Sequence, residues 1–372
     1  MSPGTTLRLI LGDQLNPRHT WFEQQRDDVL YVLMEMRQET DYVLHHAQKI
    51  IAIFAAMRDL ARQLRAAGHR VHYLTIDDPD NRQALPDNLD ALMVRFNVRA
   101  LEYQTPDEWR LDAQLADYGR SRSIPCRMVE SEHFYTLRDE AARLFSGRKQ
   151  WVMEKFYRHM RVQHRVLIHG ASQPVGGQWN FDHDNRKPWP GLPSEPADFR
   201  ASHDHSALWQ TIVSAGVNSF GEANAAQLAW PLNRADALQQ LDAFIEKALP
   251  HFGDFQDAMS HRAWRMFHSL LSFALNTKML DPREVVARAD AAWRAEAYPW
   301  QQPRASSGRS SAGASTVAAS TGRTCRSMSS RTSLTTLGRC RGGSGTVRPG
   351  CAVSPTPSAS LSNRPTPTTS SH

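Results

Sequence analysis

The sequence predicts an α/β, doubly wound parallel-sheet N-terminal domain, followed by an incomplete all-α domain and a disordered tail. The prediction rests on a change of pattern along the chain. Over residues 1–133, short apolar runs of strand length alternate with segments of helical period, and from Leu232 to Arg294 only helical patterns remain. From Pro299 onward there is no period of either kind. Strands that alternate with helices pair in parallel, because each helix carries the chain back across a face of the sheet.

Thr6 to Leu11 is an apolar run that stops at Gly12, Asp13, Gln14 and Leu15, the form of a buried strand entering a loop. Val29 to Met34 is a second strand and ends at Glu35. Asp41 to Ala67 carries Val43, Ile50, Ile51, Phe54, Met57, Leu60 and Leu64 at helical spacing, with Gly68 as the stop. His69 to Ile76, Ala100 to Gln104 and Pro125 to Glu130 are further strands, separated by helices near Pro86 to Phe96 and Asp107 to Tyr118.

Ligands of such sheets bind beyond the carboxyl ends of the strands, so Gly12, Asp13, Gln14 and Glu35 are candidates to line a small-molecule pocket. An ordinary strand-to-helix turn with a capping Asp accounts for the same residues as well. Neither G-x-G-x-x-G nor G-x-x-x-x-G-K-[ST] occurs here, which removes the usual dinucleotide and phosphate-loop readings. Lys49, one turn beyond His45, can face the same crevice or solvent. The adjacent His45 and His46 would point to different sides of a helix, which argues against a shared metal.

Residues 134–219 form an interdomain segment, and 220–297 the partial helical domain. Arg234 to Lys247 is a helix, Leu249 to Gly253 a break, and Asp281 opens a last helix with Pro282 in its first turn. The stretch from Phe267 to Val285 reads as helical too, placing Ser269 and Ser272 on one face with Asn276 a turn further on. Those polar groups either hold a phosphate or bond back to their own helix carbonyls.

The net charge of +6 suggests nucleic acid, but its distribution removes the bulk argument. Residues 299–372 hold nine arginines and no acidic residue, a charge of +9, leaving 35 basic against 38 acidic residues, or −3, in the rest. The tail is dominated by serine and threonine, with Trp300 as its one aromatic residue, and cannot bury enough surface to fold. Cys325, Cys340 and Cys351 lie in it and Cys126 in the body, with no spacing that suggests a metal site. No run of eighteen apolar residues and no leader pattern at Met1 to Thr6 occur, so a cytoplasmic monomer without membrane contact is expected. Locally, Arg148 to Arg161 interleaves cations with Trp151, Phe156 and Tyr157. This is either a phosphate-and-base surface or a helix with a buried apolar stripe and solvated charges.

These blocks occur in an order that resembles a family. G-D-Q-L at 12–15, the Glu35 segment, H-H-A-Q-K-I at 45–50, G-R-K-Q with M-E-K-F-Y-R-H-M-R at 147–161, P-V-G-G-Q-W-N-F-D at 174–182, L-P-H-F-G-D-F-Q-D-A-M at 249–259 and H-S-L-L-S-F-A-L-N at 268–276 resemble the deoxyribodipyrimidine photolyase-related proteins, the iron–sulfur bacterial branch of the photolyase and cryptochrome superfamily. The resemblance implies an antenna domain binding 6,7-dimethyl-8-ribityllumazine, a helical domain binding FAD, and light-driven electron transfer from the reduced flavin to pyrimidine (6-4) photoproducts in UV-damaged DNA. By position it implies Gly12, Asp13, Gln14, Glu35 and Lys49 at the lumazine, and Ser269, Ser272 and Asn276 at the flavin phosphates. It also places Arg148, Lys149, Lys155, Arg158 and Arg161 toward DNA.

Family members continue through a paired histidine and four cysteines that hold a 4Fe-4S cluster, and this sequence has neither in recognisable form. Synonymous codons for Trp300 to Thr316 and for Asn363 to Ser371, read from the third base of each codon, permit peptides resembling the family's flavin-domain helix and its paired-histidine motif. The expectation is a frameshift near Tyr298, an out-of-frame tail from 298 to 372, accidental tail cysteines and no metal site. No catalytic residue is assigned. A blue-light sensor without repair and a non-catalytic product retaining only the antenna domain are the rival readings. The second of these expects unpartnered apolar faces on the helices of 232–294.

Overall fold

The structure, a computed structural model, describes residues 4–148, 150, 152–179 and 187–295. Strands β1 (Thr5–Leu9) and β2 (Val29–Met34) are followed by α1 (Arg37–Asp41), the short β3 (His45–His46), α2 (Ala47–Ala66) and β4 (Val71–Leu74). Then come α3 (Leu85–Arg95), β5 (Val98–Gln104), α4 (Trp109–Arg120) and β6 (Cys126–Val129). β1, β2, β4, β5 and β6 form one parallel sheet in the order β4-β2-β1-β5-β6. The chain builds outward from β1 in one direction, then returns to β1's other side. The switch point therefore lies between β1 and β5, and the loops that follow these two strands diverge there and leave a crevice.

β2 is buried along its whole length because both sheet faces are covered. Val29, Tyr31 and Leu33 face α2, while Leu30, Val32 and Met34 face Leu85, Leu89 and Leu92 of α3 and Leu111 and Leu115 of α4. α2 is also covered on its outer side. Its Ile50, Phe54 and Met57 belong to a buried cluster that continues through Leu208 and Ile212 to Leu241, Phe244, Phe267 and Val286.

Beyond the sheet lie α5 (Glu140–Leu144), α6 (Met153–His164), the short antiparallel pair β7 (Ile168–His169) and β8 (Gln173–Pro174), α7 (Ser206–Ser214) and β9 (Ser219–Phe220). The helical segment holds α8 (Arg234–Lys247), α9 (Leu249–Phe255), α10 (Ser272–Asn276) and α11 (Pro282–Arg294). Asn233 caps α8 by accepting from the Asp236 amide at 2.9 Å, and Asp281 caps α11 by accepting from the Arg283 amide at 2.7 Å. The described apolar positions of this segment are mostly covered. Met259 and Trp264 are its exposed large apolar residues, so the expected unpartnered helix faces are not found.

Several sequence expectations change. His45 and His46 are not in the helix but in β3, which pairs with β9, and His46 caps α2 by accepting from the Gln48 amide. Leu249 to Gly253 is not a break but most of α9, because Pro250 sits in the first turn, where its missing amide donor costs nothing. The helix expected from Phe267 shrinks to α10. Met266 and Leu270 have φ of 44° and 54°, which no α-helix accommodates, and Met266, Phe267 and Leu271 are buried in the shared core instead. Ser269 thus precedes the helix and shares no helical face with Ser272.

No helix among the described residues is long and apolar enough to cross a membrane. Lys149, Trp151 and residues 296–372, with the expected tail and its three cysteines, lie outside the described residues.

Candidate functional site

A cavity of about 280 Å³ opens at the switch point. Its floor is the end of β1 and the loop that follows, Leu9 to Asp13, and its apolar walls are Met34 at the end of β2, Met36 beyond it, and Ile50, Ile53, Phe54 and Met57 of α2. Asp107, Glu108 and Leu111 close it from the β5 side, and Glu39, Thr40, Tyr42, His45 and Lys49 from the α1 side. Gly12 allows the β1 loop to lie against α2, since a Cβ there would stand 3.1 Å from Ile53 Cγ2 and 3.2 Å from Met57 Sδ.

The rim is held by Arg110, which donates to Glu39 at 2.7 Å and to Glu108 at 2.9 Å while its guanidinium lies 4.4 Å from the Tyr42 ring centroid. Lys49 Nζ donates to His45 Nδ1 at 3.1 Å. Burial lowers the Lys49 ammonium against the opposing pull of Glu108 and Glu39, and burial followed by Lys49 lowers the His45 ring. Four carboxylates, Asp13, Glu39, Asp107 and Glu108, thus stand around a chamber with apolar walls, two of them already paired with Arg110.

Gly12, Asp13 and Lys49 line this cavity, whereas Gln14 and Glu35 stand behind it. The Gln14 side chain is fully buried, accepting from the Leu11 amide at 3.0 Å and donating to the Gln104 carbonyl at 3.2 Å, so it fastens the β1 loop to the end of β5. Glu35 is also fully buried. Its carboxylate accepts from Arg58 Nε at 2.7 Å, Arg58 Nη2 at 2.9 Å, Tyr73 Oη at 2.6 Å and the Ile76 amide at 2.9 Å, clamping α2 to β2 and β4. Burial and then Glu35 push the Tyr73 hydroxyl well above its ordinary value.

Sequence reasoning missed Asp107, Glu108, Glu39 and Tyr42, which need the strand order before they can be placed beside Asp13. It also missed Lys278. This lysine is 1% exposed, and its Nζ donates to the Asp13 carbonyl at 2.8 Å, to Asp13 Oδ2 at 3.3 Å and to Asp107 Oδ2 at 2.9 Å. Burial alone would lower its ammonium, but Asp13 and Asp107 outweigh burial and raise it. The available signal was one cation between the apolar positions Leu275, Met279 and Leu280. Close by, burial followed by Lys278 holds the His133 ring down to about 3.

The remaining candidates lie elsewhere. Ser272 and Asn276 are exposed on α10, and Ser269 is half-buried before it, with its carbonyl accepting from Gln240 Nε2 at 2.9 Å. Arg148, Lys155 and Arg158 are exposed, Arg158 pairing with Glu154 at 2.9 Å. Arg161 is 3% exposed and donates to the Val166, Leu167 and Trp179 carbonyls, so it holds the chain beneath that surface. Among the described residues no group of three or more His, Cys, Asp or Glu side chains is placed to hold a metal ion.

The chain resembles known proteins over most of its length. The sequence profile of the deoxyribodipyrimidine photo-lyase-related proteins matches residues 8–228, more than half of the chain. A (6-4) photolyase of Agrobacterium fabrum (strain C58) is 35% identical over 298 residues, which cover 79% of this chain and 58% of that relative. The chain thus spans little more than half the length of the relative it matches. A bacterial class III photolyase from Agrobacterium tumefaciens, solved by crystallography, aligns over 85% of this chain and 57% of its own at 15% identity and a TM-score of 0.48. On the profile match and the 35% identity, the chain belongs to the deoxyribodipyrimidine photo-lyase-related protein family.

Proposed function

We propose that this chain takes part in the light-driven repair of pyrimidine (6-4) photoproducts in DNA, and that its parallel-sheet region collects the light, with 6,7-dimethyl-8-ribityllumazine held in the cavity at the switch point. The observation that carries this reading is the lining of that cavity. Its volume of about 280 Å³ lies near the lower end of small-ligand sites, which suits a two-ring heterocycle with a short chain. Met34, Met36, Ile53 and Phe54 supply apolar walls for the rings. The carboxylates of Asp13, Glu39, Asp107 and Glu108 are acceptors for ribityl hydroxyls, and the cations beside them, Arg110 and Lys278, are already bonded to them rather than offered to a phosphate. An unphosphorylated ligand fits this lining better than a nucleotide. Lys49 is left to donate to a ring carbonyl.

The flavin part of the reading has less support. Ser272 and Asn276 face solvent one helical turn apart and can contact a phosphate, but Ser269 is not on their face. These side chains do not by themselves form a flavin cradle. Arg148, Lys155 and Arg158 are the exposed cations we assign to the DNA-facing surface, with Arg161 supporting them from below. The frame change near Tyr298 remains our reading of the tail, tested by resequencing the locus across the codons for Ala295 to Gln302.

The test is a titration of the purified chain with the lumazine, followed by its fluorescence, beside riboflavin 5′-phosphate as the phosphorylated comparison. Saturable lumazine binding with at least tenfold weaker binding of the phosphate is expected. Absence of saturable lumazine binding would overturn the light-collecting role. Blue-light repair of a (6-4) oligonucleotide by the same preparation decides between repair and a chain that only binds the chromophore.

A further inference from the structure

Lys278 lies in the helical segment, yet its ammonium is bonded to the cavity's own acidic residues. The lysine follows Thr277, the C-cap of α10, with a φ of 64°, a conformation unfavourable for a side-chain-bearing residue that persists only where its surroundings fix it. Next to it the Thr277 carbonyl accepts from the Leu15 amide at 2.8 Å, so backbone and side chain both bind this turn to the β1 loop. Asp13 and Asp107 come from the two loops that diverge at the switch point, and the Lys278 ammonium, at 3.3 and 2.9 Å from their carboxylates, sits between them.

We propose that Lys278 is a positioning residue for the cavity: it fixes Asp13 and Asp107 as acceptors and thereby ties occupancy of the cavity to the docking of the α10–α11 turn. The proposal rests on the chromophore reading for the identity of the ligand, but the link between loops and turn stands on the geometry alone. Without the ammonium, Asp13 and Asp107 lose the cation that they share across the switch point, and the loops spread or one carboxyl takes up a proton. Either change removes an acceptor from the cavity. Linkage makes the effect reciprocal, so a ligand that gains from ordered Asp13 and Asp107 also holds the turn in place.

The experiment compares the full chain with Lys278→Met, and with Arg288→Met as a control that breaks another ion pair of the same segment, Arg288 of α11 with Asp242 of α8, away from both the cavity and the 272–280 turn. Hydrogen exchange of residues 12–15, 105–109 and 272–280 is measured with and without 6,7-dimethyl-8-ribityllumazine, together with its dissociation constant. We expect Lys278→Met to speed exchange in all three segments of the free protein and to weaken lumazine binding at least tenfold. Arg288→Met is expected to loosen α8 and α11 while changing affinity less than twofold. In the unsubstituted chain the ligand should slow exchange at 272–280. If Lys278→Met loosens 272–280 alone, or if Arg288→Met weakens the ligand as much as Lys278→Met does, the lysine is an ordinary stabilising residue and the proposal fails. If the unsubstituted chain binds no lumazine but Lys278→Met still loosens both loops with the turn, the chromophore reading falls and the positioning role stands.

Discussion

The cavity at the switch point and the basic surface around α6 are both rich in charge, but they hold it differently. Behind the cavity Glu35, Gln14 and Lys278 are at most 1% exposed, and each joins separate elements through several hydrogen bonds. On α6 the cations Lys155 and Arg158 are exposed, and the buried cluster beneath them is small, formed by Ala141, Phe145 and Phe156. Buried and bonded charge fixes geometry before a ligand arrives, whereas exposed charge on a lightly anchored helix sets a field and leaves geometry to the partner. The first suits a small ligand recognised by shape, the second a polyanion recognised by its phosphates.

A large effect is expected at Glu35. Glu35→Gln leaves Arg58 without its counter-charge and removes an acceptor from Tyr73 or the Ile76 amide, so a loss of about 3 kcal/mol in unfolding free energy is expected. Chemical denaturation measures it, and a loss below about 1 kcal/mol would show that the clamp does not set the cavity's geometry. Comparable in size is a pH dependence at His133. Its folded value of about 3 lies below the unfolded value near 6.5, so the unfolded chain binds the extra proton first. Stability from this group is complete above about pH 6.5 and falls by roughly 1.4 kcal/mol per unit as pH drops toward 3. His133→Leu should flatten that limb in denaturation curves taken between pH 7 and about 4.

The same contrast explains what the sequence disclosed. Strand and helix alternation exposed the doubly wound sheet, and Val29 to Met34 coincides with β2 because a strand buried on both faces is a continuous apolar run. Gly12, Asp13 and Lys49 were legible because they follow a strand or begin a helix next to the crevice. Asp107 and Lys278 were not, since their proximity to Asp13 depends on strand order and on the docking of a turn 265 residues away in the chain. Glu35 and Gln14 show the converse case. Their place after a strand matched a ligand-binding pattern, but the side chains turn inward to bond the fold, and nothing local in sequence reports that direction. The helix expected from Phe267 failed for a related reason, with burial of Met266 and Phe267 overriding helical propensity.

A smaller effect is expected within the cavity at its exposed edge. Lys49→Met should weaken the lumazine about fivefold in a fluorescence titration, because a donor near the mouth is partly replaced by water, with no change in denaturation midpoint. An unchanged affinity would assign the ring's hydrogen bonds to other groups.

The smallest effects per residue belong to the basic surface, where the comparison can be broken outright. If Arg148, Lys155 and Arg158 act only through charge, replacing each with Ala weakens binding to any duplex by a similar modest factor and lowers the slope of log affinity against log salt by about 0.9 for each phosphate no longer neutralised. Arg158 should give the least of the three, since Glu154 at 2.9 Å already pairs with it and would release it to DNA only in part. Arg161→Ala should behave differently, lowering stability through its carbonyl partners at Val166 and Leu167. Fluorescence anisotropy with a lesion-bearing and an undamaged duplex over a salt series separates these outcomes. A triple Ala variant with an unchanged salt slope would remove this face from DNA binding. A triple variant that failed to bind the lesion-bearing duplex alone would mean that the face is built for shape as the cavity is, and the distinction between the two regions would not hold.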